Sequence, residues 1–464
     1  MFQANIYTTR RNRLMQLVPN GIIVLLGNNE SPMNYPANGY HFRQDSTFLY
    51  YFGLDLPGMA AIVDPEAGKT TIFANDVDID DIIWMGPQPS IKELALRCGV
   101  NHSQPFGELA NEIAKAKSAG RNLHFLPPYR HDNMILLHQL LGIGFENMKA
   151  EASLPLIKAV VAQRNIKEAC EIEEIEKACN IGYLMHTTAM KMAREGVVER
   201  EIAGYIEGIS LSYGSVPSFP IILSKNGQTL HNHEHGNLLK NGDLLLVDAG
   251  AQTPMMYCSD NTRTMPVGGK FSQKQKEVYE AVLHANNHAS SIMKPGIPYQ
   301  QVHLEACKAL AGDLKAIGLM KGNIDEAVAL GAHALFMPHG LGHMMGLDVH
   351  DMEDLGQIHV GYDDEIRPSS LFGTAFLRLG RRLEEGFVLT NEPGCYFIPE
   401  LIDIWQSEKK FEDFINYAKV NEYRNFGGIR LEDDLLITAT GARILGEKRI
   451  PVGVAEIENI MQSN

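Results

Sequence analysis

Lys240–Val267 reads KNGDLLLVDAGAQTPMMYCSDNTRTMPV, and the fold is decided in this stretch. Asn241-Gly242 is a turn signal, Leu244–Val247 is an unbroken apolar run of strand length, and Asp248 stands where that run ends. Thr262–Val267 reads as a partner strand with Asp260 at its start, so two aspartates are expected to meet across neighbouring strands. A single Asp after an apolar run is ordinarily a turn or cap residue. The pair gains weight only from residues elsewhere in the chain.

Upstream, Arg164–Gly196 reads RNIKEACEIEEIEKACNIGYLMHTTAMKMAREG, with Ile172, Ile175, Cys179 and Tyr183 at helical spacing and a glycine at the end. Downstream, Ser272 opens a capping-box pattern, and the helix it predicts stops at Lys294-Pro295-Gly296. Gly196-Val197 with Glu201-Ile202, and Gly296-Ile297 with Gln301-Val302, share the same offsets, each after a long helix and before a second one. This echo predicts a duplicated helix–helix–sheet unit, two similar halves closing on a shared sheet. Before about residue 155 the text differs. Short apolar runs (Ile22–Leu26, Met59–Val63, Thr70–Phe73) alternate with helical stretches (Ser90–Arg97, Phe106–Ala116), which is an α/β pattern. The expectation is an α/β protein of two domains, residues 1–158 and 159–464, in line with a length of 464 residues.

Composition excludes several classes. Hydrophobic residues at 45% and charged residues at 21% are ordinary globular values, which argues against a disordered, collagen-like or coiled-coil chain. The balance of 41 Lys and Arg against 56 Asp and Glu gives −15, a field that repels polyanions and argues against nucleic-acid binding. Six scattered cysteines without a CxxC pair suggest neither a thiolate zinc site nor a disulfide framework. The basic and then apolar N-terminus is interrupted by Pro19-Asn20-Gly21 and followed by no small-residue cleavage site, so a short helix, turn and strand fit better than a signal peptide. No apolar run approaches the ~20 residues that cross a bilayer. A cytoplasmic location, with no membrane partner, is expected.

Three further segments could carry chemistry. Leu335–Asp351, LFMPHGLGHMMGLDVHD, contains His339, His343 and His350. Its first two histidines have zincin spacing, but no Glu follows His339, and the intervening glycines disfavour a helix while allowing backbone to approach a ligand closely. His333, nearby and unpatterned, reads as a satisfied polar residue. In Phe387–Tyr396, FVLTNEPGCY, an apolar strand runs into Glu392 and is ended by Pro393-Gly394; in Phe426–Thr438, FGGIRLEDDLLIT, Arg430 and Glu432 share one strand face. Individually these are solvated carboxylates or a surface ion pair of little worth. Together, four carboxylates and a histidine at strand ends and glycine-rich turns form an oxygen-rich ligand set. If they converge without a counter-charge, repulsion forces some to protonate, and two divalent cations would cancel it. One imidazole and no thiolate favours Mn²⁺, with Co²⁺ and Zn²⁺ as alternatives. Two such ions can activate a water and polarise a carbonyl.

Taken in order, VDAG…SDNTRT, HGLGHMMGLDVHD, TNEPGCY and GIRLEDD resemble the pita-bread metallopeptidases, specifically the Xaa-Pro peptidases, prolidase and aminopeptidase P. The N-terminal text YHFRQDSTFLYYFG resembles that family's first domain, so the likeness covers nearly the whole chain. The resemblance implies metal ligands at Asp248, Asp260, His343, Glu392 and Glu432, with Asp260 and Glu432 bridging two ions. It implies that His231 and His339 bind substrate, that His339 and His350 stabilise the tetrahedral intermediate, that Glu392 shuttles a proton, that Arg430 orients its neighbours and that Tyr396 lines the site. His233 and His235 receive no role. Arg378 resembles the arginine with which prolidases hold a substrate carboxylate, and the text around HGLGHMMGLDVHD and FGGIRLEDD is closest to eukaryotic-type prolidases; the short spacing from His231 to Asp248 is more like aminopeptidase P. The implied activity is cleavage between an N-terminal residue and proline, a dipeptidase slightly ahead of an aminopeptidase, in a homodimer. A methionine-aminopeptidase or creatinase relative, and a metal-free interaction module, are the remaining alternatives. Two features depart from the family pattern: the loop from Asp248 to Asp260 is one residue longer, and Asn391 stands where an apolar residue is usual.

Overall fold

A computed structural model describes residues 1–463. The chain divides into two units, Met1–Arg164 with Met352–His359, and Asn165–Asp351 with Val360–Asn464.

In the first unit, strands Ile22–Leu26 (β1), Ala60–Asp64 (β2), Lys69–Phe73 (β3), His102–Gln104 (β4) and Leu123–His124 (β5) make a sheet of order β4-β3-β2-β1-β5. The pairs β1–β2 and β2–β3 are antiparallel, and β1–β5 and β3–β4 are parallel. Alternate residues Ile22 and Val24, with Ala60 and Ile62, bury one face under Leu109, Ile113 and Ala116 of helix Glu108–Ser118. The basic N-terminal text is helical over Ala4–Leu17 and structural in use. Arg10 and Arg11 are buried and donate to the Tyr50 and Tyr51 carbonyls at the C-terminal end of helix Ser46–Phe52, whose last carbonyls lack helical partners.

The second unit shows the duplication. Helices Ala169–Met192 (α1) and Glu199–Ser212 (α2) precede strands Ile222–Ser224 (β6), Leu244–Asp248 (β7) and Thr262–Pro266 (β8); helices Gln273–Ile292 (α3) and Tyr299–Ala316 (α4) precede Val388–Asn391 (β9), Gly394–Tyr396 (β10), Gly428–Arg430 (β11), Asp433–Ile437 (β12) and Ala442–Ile444 (β13). Ser272 caps α3 with the reciprocal Gln275 bond. Gly196 and Gly296 both adopt positive φ, at 87° and 90°. The first donates to Leu239 O and the second to Leu383 O, and those two residues donate back to Val197 O and Ile297 O. The match continues two residues on, where Glu199 donates to Asn237 O and Tyr299 to Arg381 O.

Rather than one shared sheet, each half has its own three-stranded sheet, β6-β7-β8 and β13-β12-β9, and the second half adds the pair β10-β11. A bridge between Thr262 and Glu432 joins the halves. Arg263, fully buried, fastens the junction by donating to the Thr262, Glu432, Ile450 and Pro451 carbonyls and to Asp433 Oδ1 at 2.6 Å.

Candidate metal centre and peptide cleft

The Asp248–Asp260 hairpin depends on backbone room. Asp248 pairs with Thr262, so Asp260, two residues before Thr262, projects to the same side. The longer loop keeps register: Ala249 donates to Asn261 O and Ser259 to Ala251 O. A side chain at Gly250 would run into the Ser259 carbonyl and the Ser218 hydroxyl, so only glycine lets the turn close.

The His339–His343 stretch is not a helix. It lies along β9, with Thr390 donating to His343 O and Glu392 to Leu341 O. A Cβ at Gly342 would meet the Thr390 carbonyl and the Tyr299 hydroxyl, which explains the glycine beside the histidine. His343 Nδ1 lies 3.0 Å from the Met344 carbonyl, an acceptor only, so Nδ1 carries a proton and, in the neutral ring, Nε2 presents a lone pair. That lone pair faces Asp260 Oδ2 at 3.4 Å and Glu392 Oε1 at 3.7 Å. One oxygen or nitrogen from each of Asp260, His343 and Glu432 falls within 4.8 Å of the others.

Arg430 and Glu432 do not form the exposed pair their alternation suggests, since both are buried. Arg430 donates to Asp248 Oδ2 at 2.6 Å, to Thr262 Oγ1 at 3.1 Å and to the Tyr396 hydroxyl at 3.0 Å. Thr262 in turn donates to Glu432 Oε2 at 2.7 Å. Tyr396 lies 2.9 Å from His339 Nε2, and His339 Nδ1 lies 2.8 Å from the Gly340 carbonyl, so the tyrosine is the donor and His339 keeps its proton on Nδ1. Burial, then Arg430, pulls the His339 pKa down to about 4, so its imidazole is neutral.

Whether metal ions suit these residues can be judged from the charges. Burial first, then the neighbouring carboxylates, pushes Asp260 and Glu432 well above the usual carboxylate range. Burial raises Glu392 to about 7, with His343 and Arg430 opposing and Asp260 and Asp248 adding to the rise. Asp248 Oδ1 is buried with no hydrogen-bond partner among the described residues. Crowded carboxylates, an unpartnered oxygen and an imidazole held in its ligating tautomer fit divalent cations.

These residues line a cavity of about 560 Å³, within the range of ligand sites. His231, Asp248, Asp260, His339, His343, His350, Arg378, Glu392, Arg430 and Glu432 all reach it. Tyr396, expected on the lining, lies behind His339 and Arg430 instead, fully buried. His233, given no role by the sequence, does reach the cavity, as do the apolar Phe219, Leu230, Val349 and Phe376. Sequence reading also missed Asp434, which accepts from the Asp260 backbone at 3.0 Å, and the buried Lys167–Asp351 pair at 3.0 Å beside His350. Asn391 is explained by α3: its amide donates to Asn286 O and Ser290 Oγ, and Asn286 donates back to Asn391 O.

Residues 173–439 match the model of Metallopeptidase family M24, and residues 7–124 match that of Aminopeptidase P, N-terminal domain. The chain is 31% identical to an Xaa-Pro dipeptidase of Homo sapiens, over 97% of this chain and 90% of that protein. It is 32% identical to a probable Xaa-Pro aminopeptidase of Fusarium vanettenii, over 91% and 88%. Among solved structures, zinc-substituted Escherichia coli aminopeptidase P in complex with product superposes with a TM-score of 0.82 at 27% identity, over 99% of this chain and 98% of that one. The same enzyme with the inhibitor Pro-Leu gives 0.80 at 28%, over the same shares. The matched model spans more than half of the sequence and includes every carboxylate of the cavity, and the chain belongs to metallopeptidase family M24, in its Xaa-Pro peptidase, pita-bread branch.

Proposed function

We propose that the protein is a two-metal exopeptidase that hydrolyses the bond between an N-terminal residue and proline, acting on Xaa-Pro dipeptides ahead of longer peptides. The observation that carries this reading is the meeting, in one cavity, of four carboxylates and His343 with His231, His339, His350 and Arg378. In this reading Asp248, Asp260, His343, Glu392 and Glu432 hold two divalent ions, Mn²⁺ preferred over Co²⁺ or Zn²⁺ because the set is oxygen-rich and has no thiolate. When bound, the ions supply Lewis acidity to the scissile carbonyl and acidify a water.

The chain's own groups do the remaining work. Glu392 takes the proton of the attacking water and passes it to the proline nitrogen. His350 donates to the oxygen on which charge develops. His231 and His339 hold the substrate, and the Arg430–Tyr396–His339 relay keeps His339 in one tautomer. Arg430 also orients Asp248. Arg378 pairs with the free carboxylate of a terminal proline, for which a guanidinium fork is well shaped. A tertiary amide has no N–H for a peptidase to read, which makes a dedicated site reasonable.

Residues 159–464 would then carry the chemistry, with residues 1–158 as an N-terminal domain in a cytoplasmic homodimer. Cys98, Cys179, Cys307 and Cys395 are buried without disulfides, which supports a reducing compartment. No helix among the described residues is long and apolar enough to cross a membrane. The second reading, an Xaa-Pro aminopeptidase, draws support from the likeness to E. coli aminopeptidase P. Cleavage rates for an Xaa-Pro dipeptide and an Xaa-Pro-Yaa tripeptide, measured with Mn²⁺, separate the two. The dipeptide should be faster and should lose more in KM on Arg378→Ala; a faster tripeptide reverses the assignment.

A further inference from the structure

A second cluster of ligand-type side chains lies outside the cavity. His303 and Cys307 are four residues apart on α4 and therefore share one face. His333 stands in the short 3₁₀ turn Ala332–Leu335. All three are buried, and one ligand atom from each falls within 4.8 Å of the other two. Cys307 Sγ is 3.7 Å from His303 Nε2 and 3.9 Å from Nδ1.

We propose that His303, Cys307 and His333 form a second metal site, for one thiophilic transition ion of the Zn²⁺ or Cu⁺ class, separate from the oxygen-rich centre. His333 supplies the independent reason. Both of its ring nitrogens are buried and neither has a hydrogen-bond partner among the described residues. A neutral imidazole has a donor and an acceptor to satisfy, and leaving both unmet in a core is unfavourable. An ion satisfies the acceptor directly. Metal–nitrogen and metal–sulfur bond lengths put tetrahedral ligands about 3.5 Å apart. The Cys307–His303 spacing is already close to this.

The ligand type sets the class of ion. Two imidazoles and a thiolate, with no carboxylate among them, disfavour Mg²⁺ and Mn²⁺ and suit soft or borderline ions. Burial brings His303 to about 3 and His333 to about 4, so both rings are neutral and able to ligate. Burial raises Cys307, so binding must expel its proton to solvent as the metal–sulfur bond forms. The consequence is structural: the ion would tie the 332–335 turn to α4 just before Pro338-His339, bracing the chain that leads into His339 and His343.

The test uses the full-length protein expressed in Co²⁺-supplemented medium, because the cluster is closed to solvent. The oxygen-rich centre has no thiolate, so a near-ultraviolet thiolate-to-cobalt charge-transfer band reports the second site alone. We expect the band in the wild type, its loss in Cys307→Ser and in His333→Gln, and one ion fewer per chain in either variant by elemental analysis. Expression with Zn²⁺ or with Cu⁺ in place of Co²⁺ identifies the preferred ion by the same count. No band in the cobalt-grown wild type overturns the proposal even if the variants fail to fold, and equal ion counts in wild type and Cys307→Ser do the same.

Discussion

In the first half of the catalytic unit Asp248 closes β7 and Asp260 stands two residues before β8; in the second half Glu392 follows β9 and Glu432 precedes β12. The same glycine turn opens the second helix of each half, and the same backbone exchange follows it. The halves differ in what lies between these matched points. Residues 249–259 only connect β7 to β8, whereas 393–431 include Tyr396 and Arg430, and 335–351 carry His339, His343 and His350 to the cavity, with His343 bonded alongside β9. The repeated frame therefore delivers paired carboxylates, and the second half's insertions deliver the imidazoles and the guanidinium grouped beside them, with the tyrosine behind. Backbone geometry is duplicated, while chemistry is concentrated on one side.

This comparison can be broken in several ways. The harshest is to remove one carboxylate from each half. Asp260→Ala and Glu432→Ala should both abolish metal-dependent turnover, measured as kcat/KM after Mn²⁺ loading. If either variant stays active, the halves are not chemically equivalent. The next concerns a buried pair that joins the chain entering the first half to the second. Lys167 and Asp351 are both about 1% exposed, so Asp351→Ala strands a buried ammonium and should cost about 3–5 kcal/mol in urea unfolding. The exposed Arg443–Glu176 pair gives the contrast, and Glu176→Ala should cost under about 1 kcal/mol. A smaller effect tests the junction. Thr262→Val in the first half removes the hydroxyl that supports Glu432 in the second, and should weaken Mn²⁺ affinity by roughly 10–100-fold in a metal titration while leaving the fold intact. The mildest probes the frame itself. Gly196→Ala and Gly296→Ala each place a Cβ in open space at positive φ, so both should lose roughly 1 kcal/mol, and by similar amounts. Unequal losses would argue that the turns are not equivalent.

What could be read from the sequence was local. Apolar runs ending on Asp248 and Glu392, the Ser272 capping box and the matched glycines are patterns within a few residues, and the helices and strands follow them. Glycines around His343 disfavour a helix because of the backbone freedom they would lose, and Gly342 lies against β9. What escaped was long-range. Arg430 finds Asp248 across 182 positions, Lys167 finds Asp351 across 184, and Asp434 caps the Asp260 backbone across 174, none of which any periodicity records. Tyr396 was expected on the cavity wall and instead lies behind His339, because the strand pairing Tyr396↔Gly428 brings it under Arg430 rather than toward solvent. His333 looked like a satisfied polar residue, yet its two ring nitrogens have no partner among the described residues. The odd Asn391 makes sense only once Asn286, 105 positions away, is seen to exchange hydrogen bonds with it.

The central claim is that the carboxylates of both halves hold ions that act together on an Xaa-Pro bond. Its most direct test is the titration of chelator-stripped protein with Mn²⁺ while hydrolysis of an Xaa-Pro dipeptide and bound metal are followed together. The account predicts negligible cleavage in the stripped protein, a rise that levels off at two ions per chain, and no rise in Asp260→Ala. Full activity without metal, or two ions bound with no cleavage of the Xaa-Pro bond, would contradict it.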